Sequence, residues 1–365
     1  MARSGRDRHR LFHHRRSPAD GRGGDRRRRS ARGRLDAARA CADAAAIGLT
    51  VNDIAGPRPG NRPPPGRIVL LGGLVLLVAY ITLWALVPAD SALLAKLWFL
   101  PGVGIVGAII ANTSGTGGGV VFVPVFNALR ELGIMSLSPL MVVGVSMGIQ
   151  SFGMTMGSLR WTDRLLHQPA PGPLEAQVRP RDFATVVLAV LALSLPAMLA
   201  TQRLTAFDQQ DVLFAYKGFS ILLGTALIAA TWTVNAARPE RARLARGDLA
   251  VLLALAIPGG MITALFSVGM GELVALYLFI RHYPVLLCTG AACVISAASC
   301  LSGVVWHIEA GTIQWEVVLL AGPAAALGGF LARPIALWLG AKRLKTLDGS
   351  WIVLSALYLL WLNWR

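Results

Sequence analysis

Residues 98–126 read WFLPGVGIVGAIIANTSGTGGGVVFVPVF, an apolar run of 29 residues interrupted at its centre by Gly115, Gly117, Gly118 and Gly119. An apolar helix crosses the hydrocarbon core in about 20 residues and bonds its own backbone throughout. The run is therefore too long for one straight crossing and too short for two. Two half-helices of about 14 residues, each about 21 Å long, would enter to mid-membrane and return. A second run, 249–281, has the same character, with its interruption around Ser267–Gly271. Uninterrupted apolar runs at 68–87, 138–159, 183–202, 212–234, 285–306 and 317–339 predict full spans, and 350–364 predicts a short last one.

Composition agrees. The 365 residues are 55% apolar and 15% charged, where a soluble domain carries about 25% charged residues. The net charge of +16 is uneven: residues 1–67 hold 17 of the 35 Lys and Arg and 6 of the 19 Asp and Glu. That segment, rich in Arg, Gly and Pro, cannot bury enough apolar surface to offset chain entropy, and reads as a disordered basic tail. It lacks aromatic interleaving, which argues against a specific nucleic-acid partner. Arg15 and Arg16 are not followed by the apolar stretch of an export signal. A translation start near Leu49 or Val51 is a further expectation for this segment.

Lys and Arg accumulate on the cytoplasmic side of short membrane loops, which tests the topology. With 98–126 and 249–281 each returning to its own side, the inner loops hold Arg160, Arg164, Arg179, Arg181, Arg238, Arg241, Arg243, Arg246, Arg281, Arg333, Lys342, Arg343 and Lys345. The outer side holds only Lys96, Arg130, Arg203 and Arg365. A single crossing at 98–126 would move two four-arginine loops outside. All ten tryptophans fall near expected span ends, where indole prefers to lie. The expected fold is an all-α polytopic membrane protein in the bacterial inner membrane, with the N-terminal tail in the cytoplasm.

This arrangement contains two inverted repeats. An extra N-terminal span at 68–88 precedes repeat 95–234, and the second repeat is 249–364; each has a broken, re-entrant hairpin followed by three spans. ANTSGTGGGVVFVP over TALFSVGMGELVALYL aligns Gly115 with Gly269 and Gly117 with Gly271. SPLMVVGVSMGIQS and YPVLLCTGAACVISA are both apolar spans led by a proline. Inverted repeats with broken helices are the architecture of secondary transporters, with substrate held where the breaks meet.

TSGTGGGVVFVP, GMGELVALYL and the closing AGPAAALGGFLARPIALWLGAKRLKTL together resemble the sulfite exporter TauE/SafE family, over about residues 95–364. The second repeat departs from the first, with Glu272 and Leu273 in place of glycines and Leu278 where Pro124 stands. The resemblance implies a carrier of small, often sulfur-containing anions such as sulfite and sulfonates, in some members linked to protons.

The residues suggest the same chemistry. Gly117, Gly118 and Gly119 let an oxyanion approach the backbone, and as the start of a half-helix they would offer free N–H groups and a favourable dipole. Asn112, Thr113, Ser114, Gly115 and Thr116 stand beside them, and Thr263, Ser267, Gly269 and Gly271 are the second-hairpin counterparts. The alternative role for all of these is close helix packing, with hydroxyls bonded to their own helix. Glu272 is a carboxylate inside an apolar stretch and the candidate for proton coupling; its alternative role is an N-terminal helix charge. Lys217 either snorkels to the interface or faces the anion. Gln150, Ser151 and Ser296 lie mid-span, as interhelical bonds or site polars.

The histidines show no metal-ligand spacing, and Cys288, Cys293 and Cys300 share one span without a C-x-x-C pair, so neither metal nor cofactor is expected. The partners expected are a small anionic substrate, the lipid bilayer and coupling protons. A passive anion channel is the alternative function. An intramembrane hydrolase using Ser114 and His307 is the enzyme alternative, and it lacks an orienting third group.

Overall fold

The computed structural model describes residues 63–172, 174–204, 209–233, 239–339 and 341–364. The basic tail through Arg62, and Arg238 and Arg365 of the charge count, lie outside the described residues. Those described form twelve helices: α1 (Arg67–Leu86), α2 (Ser91–Lys96), α3 (Leu100–Ser114), α4 (Gly119–Glu131), α5 (Pro139–Leu166), α6 (Pro180–Gln202), α7 (Gln209–Thr233), α8 (Arg246–Phe266), α9 (Met270–Ile280), α10 (Val285–Glu309), α11 (Trp315–Leu339) and α12 (Ala341–Trp364). No strand occurs among them. α1, α5, α6, α8, α10 and α11 are each long and apolar enough to cross a bilayer, so the protein is an all-α polytopic membrane protein. Leu70, Leu74, Val75, Val78 and Ile81 leave α1 broadly exposed, as on a lipid-facing helix.

Both interrupted runs are hairpins. In the second, Asp248 at the start of α8 accepts from Tyr277 Oη (2.8 Å) and Arg281 Nε (2.7 Å) at the end of α9. At the other end, the Met270 N–H donates to Thr263 Oγ1 (3.0 Å). The two halves are unequal: α8 has 21 residues, about 31 Å and long enough to cross by itself, against 11 in α9. In the first hairpin, of 15 and 13 residues, Phe122 packs against Gly107.

Hydrogen bonds sort the loops onto two faces. Asp163 at the end of α5 accepts from the Gly66 N–H (2.8 Å) ahead of α1 and from Arg333 of α11 (3.4 Å). On the same face the Ala176 N–H meets Glu240 (2.9 Å), the Leu244 N–H meets Asp182 (3.1 Å) and the Arg241 N–H meets the His282 carbonyl (2.8 Å). Burial pushes the Glu240 carboxyl above the ordinary glutamate range. The described arginines of the expected inner loops thus gather on one face. On the other, Asp90 meets Glu316 (3.2 Å) and Thr312 meets His307 (2.7 Å). α5 runs from the second face to the first, and α10 runs back.

Packing repeats under exchange of α3–α7 with α8–α12. α3 lies on α11 as α8 lies on α6, α5 on α11 as α10 on α6, and α4 on α5 as α9 on α10. The pairs α5 with α10 and α7 with α12 map onto themselves.

The C-terminal segment differs from expectation. The short span expected at 350–364 is the second part of a 24-residue helix that begins at Ala341, so the expected loop 340–349 is mostly helix. Trp351 consequently lies ten residues into α12 rather than at a span end, and its indole N–H donates to the Val120 carbonyl (3.2 Å).

Candidate functional site

The two breaks meet. α3 stops at Ser114 because Gly115 turns left-handed (φ +79°), and α4 starts at Gly119. α8 stops at Phe266 with Ser267 left-handed (φ +58°), and α9 starts at Met270 after Gly269. Cap geometry therefore pairs Gly115 with Ser267 and Gly118 with Gly269. The alignment of Gly115 with Gly269 and of Gly117 with Gly271 is out of register with the caps, by two residues where the first half-helices end and by three where the second ones begin.

Contact between the breaks is close. A Cβ at Gly119 would stand 2.2 Å from the Ser267 carbonyl oxygen, so only glycine lets the two backbones approach here. A Cβ at Gly117, which is left-handed at φ +71°, would stand 2.7 Å from Glu272 Oε1. The carboxyl of Glu272 thus lies directly against the first break.

Gln150, at the middle of α5, clasps both. Its Oε1 accepts the Gly118 N–H (2.6 Å), and its Nε2 donates to Ser267 Oγ (2.7 Å) and Ser146 Oγ (3.0 Å). The Gly118 N–H, expected to face an anion, is bonded to this amide instead. The second break is capped from within: Glu272 Oε2 accepts the Gly269 N–H (2.7 Å), and Thr263 Oγ1 accepts the Met270 N–H while donating to the Gly259 carbonyl (2.7 Å). Glu272 is 2% exposed and does cap a helix N-terminus, which the dipole favours.

Gly117, Gln150, Thr263, Ser267, Gly269, Gly271, Glu272, Ser296, Ser299 and Cys300 are among the residues around a cavity of about 10 Å³. That is room for about one water and not for a three-oxygen anion. Among the described residues no Lys or Arg lines it.

The other expected residues divide. Gly271 is occupied by packing, since a Cβ there would lie 2.0 Å from Ser296 Oγ. Thr113 and Ser114 donate to the Ile110 carbonyl, and Ser114 Oγ pairs with Thr116 Oγ1 (2.8 Å). Asn112 points away from the cavity: its Nδ2 donates to the Ala108 and Gly153 carbonyls, and its own carbonyl takes the Trp161 indole N–H (3.0 Å). Lys217 is buried, with Glu131 and Arg130 at the end of α4 as its charged neighbours, so it does not face the breaks. Ser114 and His307 are far apart. Gly115 packs on Thr289 and Ala292, about 22 Å along α10 from His307, and the hydrolase alternative falls. Ser299 and Cys300 escaped the sequence; their spacing of three and four residues from Ser296 is the signal that marks them.

The family model described as Sulfite exporter TauE/SafE matches residues 102–359. Over 110 residues the chain is 27% identical to "Probable membrane transporter protein YdhB" of Bacillus subtilis (strain 168). That match covers 30% of this chain and 45% of the relative, so it spans less than half the relative's length. No solved structure matches the chain. From its first half-helix to its last span, then, the protein belongs to the sulfite exporter TauE/SafE family of membrane transporters.

Proposed function

We propose that the protein is a secondary carrier exporting small anions, sulfite or organosulfonates, across the bacterial inner membrane by alternating access. The observation that carries this is the convergence of two half-helix N-termini, reached through Gly117 and Gly269, on one buried cavity with no Lys or Arg among the described residues of its lining. Backbone N–H groups, helix dipoles and the neutral donors Gln150, Ser267 and Ser296 then hold the anion, while Thr263 stays engaged as the cap of the Met270 N–H. Gln150 Oε1 occupies the Gly118 N–H in the closed form, and an arriving oxyanion replaces it. The face that gathers the arginines is cytoplasmic by the positive-inside rule, and the chain ahead of α1 enters from that side. The exchangeable packing and the opposite directions of α5 and α10 support an inverted repeat, 95–234 with 249–364, after the extra span 68–88.

Glu272 makes the carrier proton-linked. An anion and an ionised carboxylate about 4 Å apart repel by about 4 kcal/mol at an effective dielectric constant of 20. Glu272 therefore takes up a proton when the anion binds and loses it when the anion leaves. A cavity closed to about 10 Å³ disfavours the passive channel.

A thermal-shift screen of purified protein against sulfite, thiosulfate, sulfoacetate, taurine, sulfate and carboxylates tests the substrate class. Stabilisation by a sulfur oxyanion is expected; stabilisation only by carboxylates or cations overturns it. In proteoliposomes Glu272→Gln should keep anion counterflow and lose the response to a pH gradient. Gradient-driven flux equal to wild type would refute the coupling.

A further inference from the structure

α10 carries a row of buried small and polar residues that leads away from the Glu272 cavity. Ser296 and Ser299 line that cavity. One turn on, the Gly303 carbonyl receives Gln202 Nε2 of α6 (3.3 Å), and one turn further stands His307. Positions 296, 299, 303 and 307 share one helix face. The row ends at the face of the molecule opposite the arginine-rich loops.

His307 is 0% exposed, and its Nε2 has no hydrogen-bond partner. Its tautomer follows from its other nitrogen. Thr312 Oγ1 spends its own hydrogen on the His307 carbonyl (3.2 Å), so it accepts from Nδ1–H (2.7 Å), and Nε2 carries the lone pair. Gln202 Oε1, one turn back, is a second buried atom without a partner. The surroundings are neutral. α5 contributes Gly144, the turn after α10 contributes Thr312, α6 contributes Gln202, and α10 itself contributes the Trp306 ring; Glu309 on α10 is exposed. No charged group among the described residues acts on the imidazole.

We propose that His307 is the outer protonation site of this carrier, exchanging protons with Glu272 along this face of α10. The assignment rests on Glu272 being the coupling carboxyl. His307 lies about 16 Å along α10 from Ser296 at the Glu272 cavity, too far for direct transfer, and Ser299 and Gln202 stand along that interval. The proton lost by the Glu272 carboxyl is received at Nε2, giving an imidazolium with both N–H bonds intact. The imidazolium releases its proton when α5 and α10, which meet where Gly144 packs on the ring's Nδ1 side, move apart.

The test uses full-length protein in proteoliposomes with radiolabelled sulfite. His307→Asn retains a polar atom for Thr312, and His307→Phe removes both nitrogens. Both should cut pH-gradient-driven flux at least about ten-fold while counterflow at equal pH stays within about two-fold. If counterflow falls in proportion to gradient-driven flux in both variants, the role is structural and the proposal fails. If Glu272→Gln loses the gradient response and the His307 variants keep it, the His307 assignment alone fails. If Glu272→Gln keeps the response, the coupling carboxyl itself is refuted and the assignment goes with it.

Discussion

The two breaks solve one problem by different means. Each stops a helix inside the membrane and starts another, leaving N–H groups that water cannot reach. The second break supplies its own acceptors, Thr263 and Glu272, and tolerates a non-glycine left-handed residue because the Ser267 hydroxyl is bonded to Gln150. The first is glycine except at Thr116, whose N–H reaches Ser114 Oγ (3.4 Å), and at the start of α4 its Gly118 N–H borrows an acceptor from α5. A self-capped break survives when its neighbours move, whereas a borrowed cap is released by moving one helix. On the proposed carrier function, this difference would place anion exchange at the first break and proton exchange at the second.

The contrast breaks most severely at Gly119→Val, which drives a side chain into the Ser267 carbonyl. Loss of folded protein on detergent size-exclusion chromatography is expected. Gln150→Leu should lower stability by about 1–3 kcal/mol, since it strands the buried Gly118 N–H. It should also change the anion-dependent thermal shift. Thr263→Val should cost about 1 kcal/mol, as lost caps do, and leave that anion-dependent shift unchanged. An equal effect of both substitutions on anion stabilisation would erase the proposed division. Ser267→Gly should be smallest: relief of left-handed strain, about 1–2 kcal/mol, offsets loss of one hydrogen bond to Gln150, about 1 kcal/mol, and the melting temperature should barely move.

How much was legible follows from which interactions are local. The 29-residue run with glycines at its centre fits half-helices better than one straight crossing, and the arginine bias chose the hairpin over a single crossing. Glu272 stood out because an acid in an apolar run demands a reason. Gln150 was legible only as one of three mid-span polar residues, since its role depends on Gly118 and Ser267, 32 and 117 residues away. The register of the breaks was misread because glycine spacing matched while cap positions did not. α12 was cut short because its first turns, AKRLKTLDGS, are polar, yet they are helical and carry Trp351 to the start of α4.

Asp248 gives the second hairpin a further property. Arg241 (3.0 Å) and Tyr283 (2.6 Å) join Tyr277 and Arg281 on its carboxylate, so the chain before α8, the end of α9 and the approach to α10 share one knot. A hairpin tied at its mouth and capped at its tip cannot spread like scissors. Under the proposed alternating access it would travel as one lever, with the amide of Gln150, bonded to both breaks, as its latch.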